Sequence, residues 1–172
     1  MTVQDTSLAG VKLILGEKPS IDHRGAYREI YTDKDYFPPL GIKFVQDDIS
    51  YSTKDVLRGI HGDVGTWKLV SCILGSFSLV VVNCELNHSQ YMKWERFNLT
   101  ETEPTQVLIP PNFGNGHLIT SPEAIFHYKQ STYYGEYKQF TVKWDDTELS
   151  IPWDVDTPIL SKRDELGPFL QW

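Results

Sequence analysis

From Val11 onward the chain is a succession of short runs rich in Val, Ile, Tyr, Phe and Trp, broken by Gly, Pro, Asn and Asp, with long helical periodicity mostly absent. Such a pattern predicts many short strands joined by frequent turns. The expected strands are Val11 to Leu15, Ala26 to Tyr31, Phe44 to Ser52, Val56 to His61, Trp67 to Leu74, Phe77 to Cys84, Met92 to Leu99, Thr105 to Ile109, His117 to Thr120, Ala124 to Gln130 and Gln139 to Lys143. Gly75-Ser76 reads as a two-residue hairpin turn between two of them. Only two short helices are expected. One lies near Asp33 to Tyr36 and is ended by Pro38-Pro39; the other starts at Ser161, whose hydroxyl can cap Lys162-Arg163-Asp164-Glu165. The fold class is therefore all-β, a sandwich, barrel or jelly roll with few short helices.

Within this pattern the stretch Val56 to Val70 is unusual, because Arg58, His61, Asp63 and Lys68 are interleaved with Val, Leu and Ile. Buried charge must be paired, so this density is costly as ordinary core and points to a pocket. Simple strand alternation puts Arg58 and Ile60 on one face and Gly59 and His61 on the other, with Lys68 returning on a neighbouring strand.

At 172 residues the chain is expected to form one domain, 1–172, with a core that needs no staples. Its apolar content of 40% supports a folded globular protein, and a net charge of -7 argues against a nonspecific grip on nucleic acid or anionic membrane. Residues 1–15 lack the features of a signal peptide and no segment is long and apolar enough to span a bilayer, so the expected location is cytoplasmic. In a reducing compartment Cys72 and Cys84 are expected to be unpaired small hydrophobes.

Three constellations carry chemistry. His61 is the first candidate, because the unperturbed imidazole of a histidine suits proton transfer near neutrality, with Arg58 as an anion or oxygen binder and Lys68 as a stabiliser of a developing oxyanion; the competing reading is a satisfied core histidine. Ala124-Ile125-Phe126-His127-Tyr128-Lys129, followed by Tyr133-Tyr134, is either an aromatic core strand or the source of a proton-donating tyrosine. Pro110 to His117 reads as a turn-rich entry into a strand whose small residues let backbone approach a ligand. The chemical rival is a metal site built on His61, Asp63 and His117, against which the Lys68 ammonium counts.

Across nearly its whole length the chain resembles the dTDP-4-dehydrorhamnose 3,5-epimerase family of cupin-fold nucleotide-sugar epimerases. The resemblance rests on the order and spacing of Asp22-His23-Arg24-Gly25, Phe44-Val45-Gln46, Ser50-Tyr51-Ser52, Arg58-Gly59-Ile60-His61, Lys68-Leu69-Val70, Ile109-Pro110, Tyr128-Lys129, Trp144-Asp145-Asp146, Ile151-Pro152-Trp153 and Leu160 to Asp164. It implies a cupin double-stranded β-helix, or jelly roll, and an isomerase that inverts centres beside a 4-keto group. By this matching His61 is the general base, Asp164 the carboxylate that orients it, Lys68 the cation beside the enolate oxygen and Tyr128 the acid on the opposite face. Arg58, Arg24 and Gln46 match contacts to the sugar or diphosphate, with Arg24 supplied across a homodimer interface. Glu29, Asp63, Asn115 and His117 complete the expected substrate-binding set. No metal and no redox cofactor is implied.

Departures from the family pattern fall on expected pocket positions. The usual R-G-[LI]-H-Y-Q becomes Arg58-Gly59-Ile60-His61-Gly62-Asp63, Asn115 replaces a histidine, and Asp48 stands where asparagine is common. This version resembles the branch acting on GDP-linked 6-deoxy-4-keto-heptoses for bacterial capsules and O-antigens, with Gly62 and a shifted His117 expected to make room for the extra carbon. The alternatives are a dTDP-4-keto-6-deoxyglucose 3,5-epimerase or related ketoisomerase, a metal-dependent cupin enzyme, and a noncatalytic sugar-nucleotide binder.

Overall fold

A computed structural model describes residues 1–168, so positions 169–172 of the expected domain lie outside the described residues. In chain order its elements begin with β1 (Thr2–Asp5), β2 (Lys12–Leu15), β3 (Ser20–Asp22), β4 (Gly25–Tyr27), α1 (Asp33–Leu40), β5 (Gln46–Thr53) and β6 (Leu57–Asp63). They continue with β7 (Lys68–Leu74), β8 (Ser76–Asn83), β9 (Trp94–Thr100), β10 (Thr105–Ile109), β11 (Phe113–Ile119), β12 (Glu123–Gln130), β13 (Gln139–Thr141) and α2 (Lys162–Leu166).

The strands form two antiparallel sheets, ordered β1-β2-β10-β7-β12-β5 and β13-β6-β11-β8-β9, while β3 and β4 pair as a separate hairpin. The architecture is the all-β jelly roll of the cupin type. Between the sheets, Val70, Cys72, Val107 and Phe126 from the first meet Phe77, Leu79, Val81, Phe97 and Leu99 from the second. Strand β8 is buried on both faces: Val80 and Val82 turn outward and are covered by Leu149, Ile151 and Trp153 of the C-terminal segment. That covering segment carries α2 onto the sheet that holds β6. Both cysteines are free and buried, and burial pushes each thiol up to about 12.

Several local expectations need correction. Gly75-Ser76 is not a hairpin turn, because β7 and β8 belong to different sheets. Gly75, at φ +69, carries the chain across from one sheet to the other. Helix α1 runs through Pro38 and Pro39 and stops at Gly41, whose left-handed conformation lets its N–H reach the Phe37 carbonyl at 2.7 Å. The prolines are tolerated because Lys34 and Asp35, whose carbonyls they leave without a helical donor, lie on the exposed side. Strand β11 begins at Phe113 rather than His117, since Phe113 to Gly116 pair with Asn83 to Val80. Strands β1 and β3, mostly exposed and polar, carry no apolar alternation that would reveal them. The cap at Ser161 forms as expected, accepting the Asp164 N–H at 3.2 Å.

Candidate active site

Strand β6 positions the centre through an irregularity. His61 pairs with Asn115 and Arg58 pairs with His117, so three steps along β6 match two along β11. The extra residue reverses the alternation, bringing Arg58 and His61 to the same cavity while Ile60 is fully buried in the apolar cluster behind. This corrects the simple alternation expected for the strand. Gly59 is required at the irregularity: its φ is +120, and a Cβ there would lie 2.5 Å from the Gly116 Cα.

The cavity, about 260 Å³, is lined by both sheets and by α2. Lys68 enters from β7, on the sheet facing β6 rather than on a paired neighbour. On β12, Phe126, Tyr128 and Gln130 line the cavity, whereas His127 and Lys129 point to the other face and share Asp47, at 2.8 Å and 2.7 Å. Asn115 and His117 line it from β11, and Asp164 from α2.

His61 Nε2 lies 2.6 Å from Asp164 Oδ1, although the ring N–H is not aimed along that line, so the contact is a close approach rather than an aligned hydrogen bond. Asp164 is held by the Gly59 N–H at 3.3 Å and the Ser161 hydroxyl at 2.7 Å. Burial pushes its carboxyl up, but the contacts of His61, Ser161 and Gly59 outweigh that and keep it below the usual range. Lys68 lies 3.7 Å from Asp63; burial pulls the ammonium down, Asp63 opposes that, and Arg163 adds to it. Burial foremost, with Asp48 and Tyr134 adding, pushes the Tyr128 phenol up to about 12. His117 stacks on Phe126 at 4.0 Å, and burial foremost, with repulsion from Arg58 and His61 adding, pulls it down to about 3. Ser50 Oγ, Asn115 Oδ1 and His117 Nε2 are buried at this cavity without a hydrogen-bond partner among the described residues. Such atoms are costly unless a ligand satisfies them.

A family model described as dTDP-4-dehydrorhamnose 3,5-epimerase matches residues 5–171. The chain belongs to this family. It is 34% identical over 172 residues to the dTDP-4-dehydrorhamnose 3,5-epimerase of Shigella flexneri, covering 97% of this chain and 94% of the relative. It is 31% identical over 170 residues to the dTDP-4-dehydrorhamnose 3-epimerase of Streptomyces niveus, covering 96% and 82%. Among solved structures, the dTDP-6-deoxy-D-glucose-3,5-epimerase of Legionella pneumophila Philadelphia 1, in complex with dTDP-4-keto-L-rhamnose, superposes with a TM-score of 0.90 at 31% identity, covering 98% of this chain and 92% of that one. This member of the dTDP-4-dehydrorhamnose 3,5-epimerase family is accordingly an enzyme, an isomerase of sugar nucleotides.

Of the residues expected at this epimerase's site, His61, Lys68, Tyr128, Asp164, Arg58, Asp63, Asn115 and His117 meet at the cavity. Three do not line it. Arg24 sits on the exposed β3–β4 hairpin and pairs with Asp22 at 2.6 Å. Glu29 lines a separate surface recess with Arg28 and Tyr36. Gln46 holds Asp48 at 2.8 Å and accepts the Tyr134 N–H at 2.9 Å. Ser50, Gln130, Gln139 and Arg163 line the cavity without having been singled out, and of these only Ser50 and Arg163 stood inside motifs that carried the family resemblance; Tyr134, named beside Tyr133 as an aromatic of the second constellation, lines it too.

Gly62 does not widen the cavity as expected. A Cβ there would lie 2.2 Å from Phe140 Cζ and 2.5 Å from the Phe113 carbonyl, so Phe140 already fills the space the missing side chain leaves. His61, Asp63 and His117 do not form a metal-ligand group: among the described residues no three His, Cys, Asp or Glu side chains are placed to hold a metal ion. Nor is any helix among them long and apolar enough to cross a membrane.

Proposed function

We propose that this epimerase inverts C3, C5 or both of a nucleotide-diphospho-4-keto-6-deoxy sugar, with no metal or redox cofactor. The observation that carries the reading is the meeting of the His61–Asp164 pair, the buried Lys68 ammonium and the Tyr128 phenol in one cavity. A 4-keto group acidifies the hydrogens on the adjacent carbons. His61 takes one of these protons through Nδ1, the ring nitrogen not engaged by Asp164. The C–H electron pair becomes the C=C bond of an enolate, whose oxygen is stabilised by Lys68. Tyr128, still protonated at neutral pH with a phenol near 12, returns a proton to the opposite face and inverts the centre. Asp164 balances the imidazolium that forms on His61.

For the sugar nucleotide the reading is GDP-6-deoxy-4-keto-heptose, supported by the departures at Asp63 and Asn115, both of which line the cavity. The three unpartnered polar atoms of Ser50, Asn115 and His117 suit a hydroxyl-bearing substrate. The second reading, a dTDP-4-keto-6-deoxyhexose, is favoured by the names of the relatives. Arg24 and Glu29 would serve the site only from a second subunit, and a homodimer is the assembly proposed. The test is incubation with each 4-ketosugar in deuterated water. Deuterium at C3 or C5 is expected, faster with the GDP-heptose; no incorporation with either substrate class sinks the reading.

A further inference from the structure

Asp63 lines the cavity, yet the proposed proton transfers leave it without a task. It is 6% exposed, and its Oδ1 accepts the N–H groups of Gly65 at 3.1 Å and Thr66 at 2.7 Å, which clamps the carboxylate at the mouth of the β6–β7 loop. Its Oδ2 faces Lys68 Nζ at 3.7 Å. Lys68 comes from the opposite sheet and its side chain is 14% exposed. A buried ammonium with no counterion tends to give up its proton, and a neutral amine is a poor partner for an enolate.

The other charged or titratable groups of the cavity are Arg58 and His61 on β6, His117 on β11, Tyr128 on β12, Tyr134 after β12, and Arg163 and Asp164 on α2. Arg163 disfavours the ammonium, and Asp164 is engaged by His61, Ser161 and Gly59. Asp63 is thus the one carboxylate at ion-pair distance from Lys68 among the described residues.

We propose that Asp63 is a positioning residue for Lys68: its amide-clamped carboxylate holds the ammonium charged and aimed at the oxygen that becomes the enolate. Asp63 itself contacts no reacting atom. Lys68 keeps its proton throughout the cycle and donates a hydrogen bond, so the proton balance stays between His61, the substrate carbon and Tyr128. The inference builds on the proposed epimerase chemistry and supplies the condition under which Lys68 acts.

Asp63→Asn is the variant of choice, because it deletes the charge while retaining an oxygen that can accept from Gly65 and Thr66. The deuterium-exchange rate on the 4-ketosugar nucleotide is followed against pH. The alkaline limb is expected to move down by at least about one pH unit, with kcat at about pH 8 falling at least about 10-fold and KM little changed. Asp63→Glu is expected to recover part of both. A wild-type pH profile in Asp63→Asn overturns the proposal. A second readout needs no turnover: Nζ of Lys68 is titrated by NMR in 15N-lysine-labelled protein, assigned with Lys68→Arg. The wild-type ammonium is expected to persist to higher pH than that of Asp63→Asn; equal titrations, or a wild-type Lys68 already neutral at pH 7, overturn it. Should wild-type protein exchange no 4-ketosugar, the epimerase reading fails, while the NMR titration still decides whether Asp63 holds Lys68 charged.

Discussion

Asp164 Oδ1 lies 2.6 Å from His61 Nε2, joining the C-terminal α2 to the middle of β6. The carboxylate is 3% exposed at its side chain and is anchored by Ser161 and Gly59, so it can orient the imidazole with little motion. In the proposed reaction His61→Asn abolishes deuterium exchange. Asp164→Asn keeps the shape but removes the charge opposite an imidazolium, and kcat is expected to fall by about 10² to 10⁴. Steady-state kinetics with the 4-ketosugar checks both; full activity in Asp164→Asn would remove it from the mechanism.

Tyr128→Phe separates abstraction from inversion. The base, Lys68 and the Phe126 wall stay in place, so exchange from the abstraction face is expected to persist while the inverted product is lost. Proton NMR of the recovered sugar distinguishes these outcomes. Because burial holds the phenol near 12, wild-type activity should show no loss attributable to Tyr128 ionisation below about pH 11. An unimpaired yield of inverted product would point to Tyr134, which also lines the cavity.

Gly62→Ala is predicted to destabilise the protein by about 1–3 kcal/mol, the usual effect of overpacking. The new Cβ runs into the Phe140 ring and, more seriously, into the Phe113 carbonyl, which belongs to backbone and yields little. Urea unfolding measures the loss. A neutral substitution would mean that β13 gives way and that the space behind Gly62 is adaptable.

His117 makes stability depend on acid. Its folded value is about 3 against an ordinary 6.5, so the unfolded chain binds more protons between those limits. The contribution is fully present above about pH 6.5 and is lost as pH falls towards about 3. Asp164, held below its usual range, adds its own loss only in the carboxylate range. In His117→Phe, which keeps an aromatic ring against Phe126, the fall in melting temperature from about pH 7 to about pH 5 is expected to be shallower than in wild type. Parallel slopes for the two proteins would refute this.

Much of the sheet structure was legible because apolar runs and turn residues act locally. Thr105 to Ile109 was read in full, and the Ala124 to Gln130 run forms β12 with Tyr128 facing the cavity. The failures share a cause. Gly75 marks a reversal, but whether the next strand pairs back or crosses to the other sheet depends on β9, β11 and β12, which are distant in sequence. Likewise Gln130 and Gln139 carry no local pattern that sets them apart from ordinary strand and loop residues.

By itself the sequence determined the strand-rich class, the cap at Ser161 and the concentration of charge between Arg58 and Lys68, since these follow from local periodicity, hydrogen bonding and the cost of burying charge. Only the tertiary structure decided which of those groups share a cavity. The irregular pairing of β6 with β11 turned Arg58 and His61 to one side, the facing sheet brought Lys68 to Asp63, and the packed C-terminal segment set Asp164 beside His61. Each of these contacts depends on how one backbone registers against another, which no residue of a single strand specifies alone.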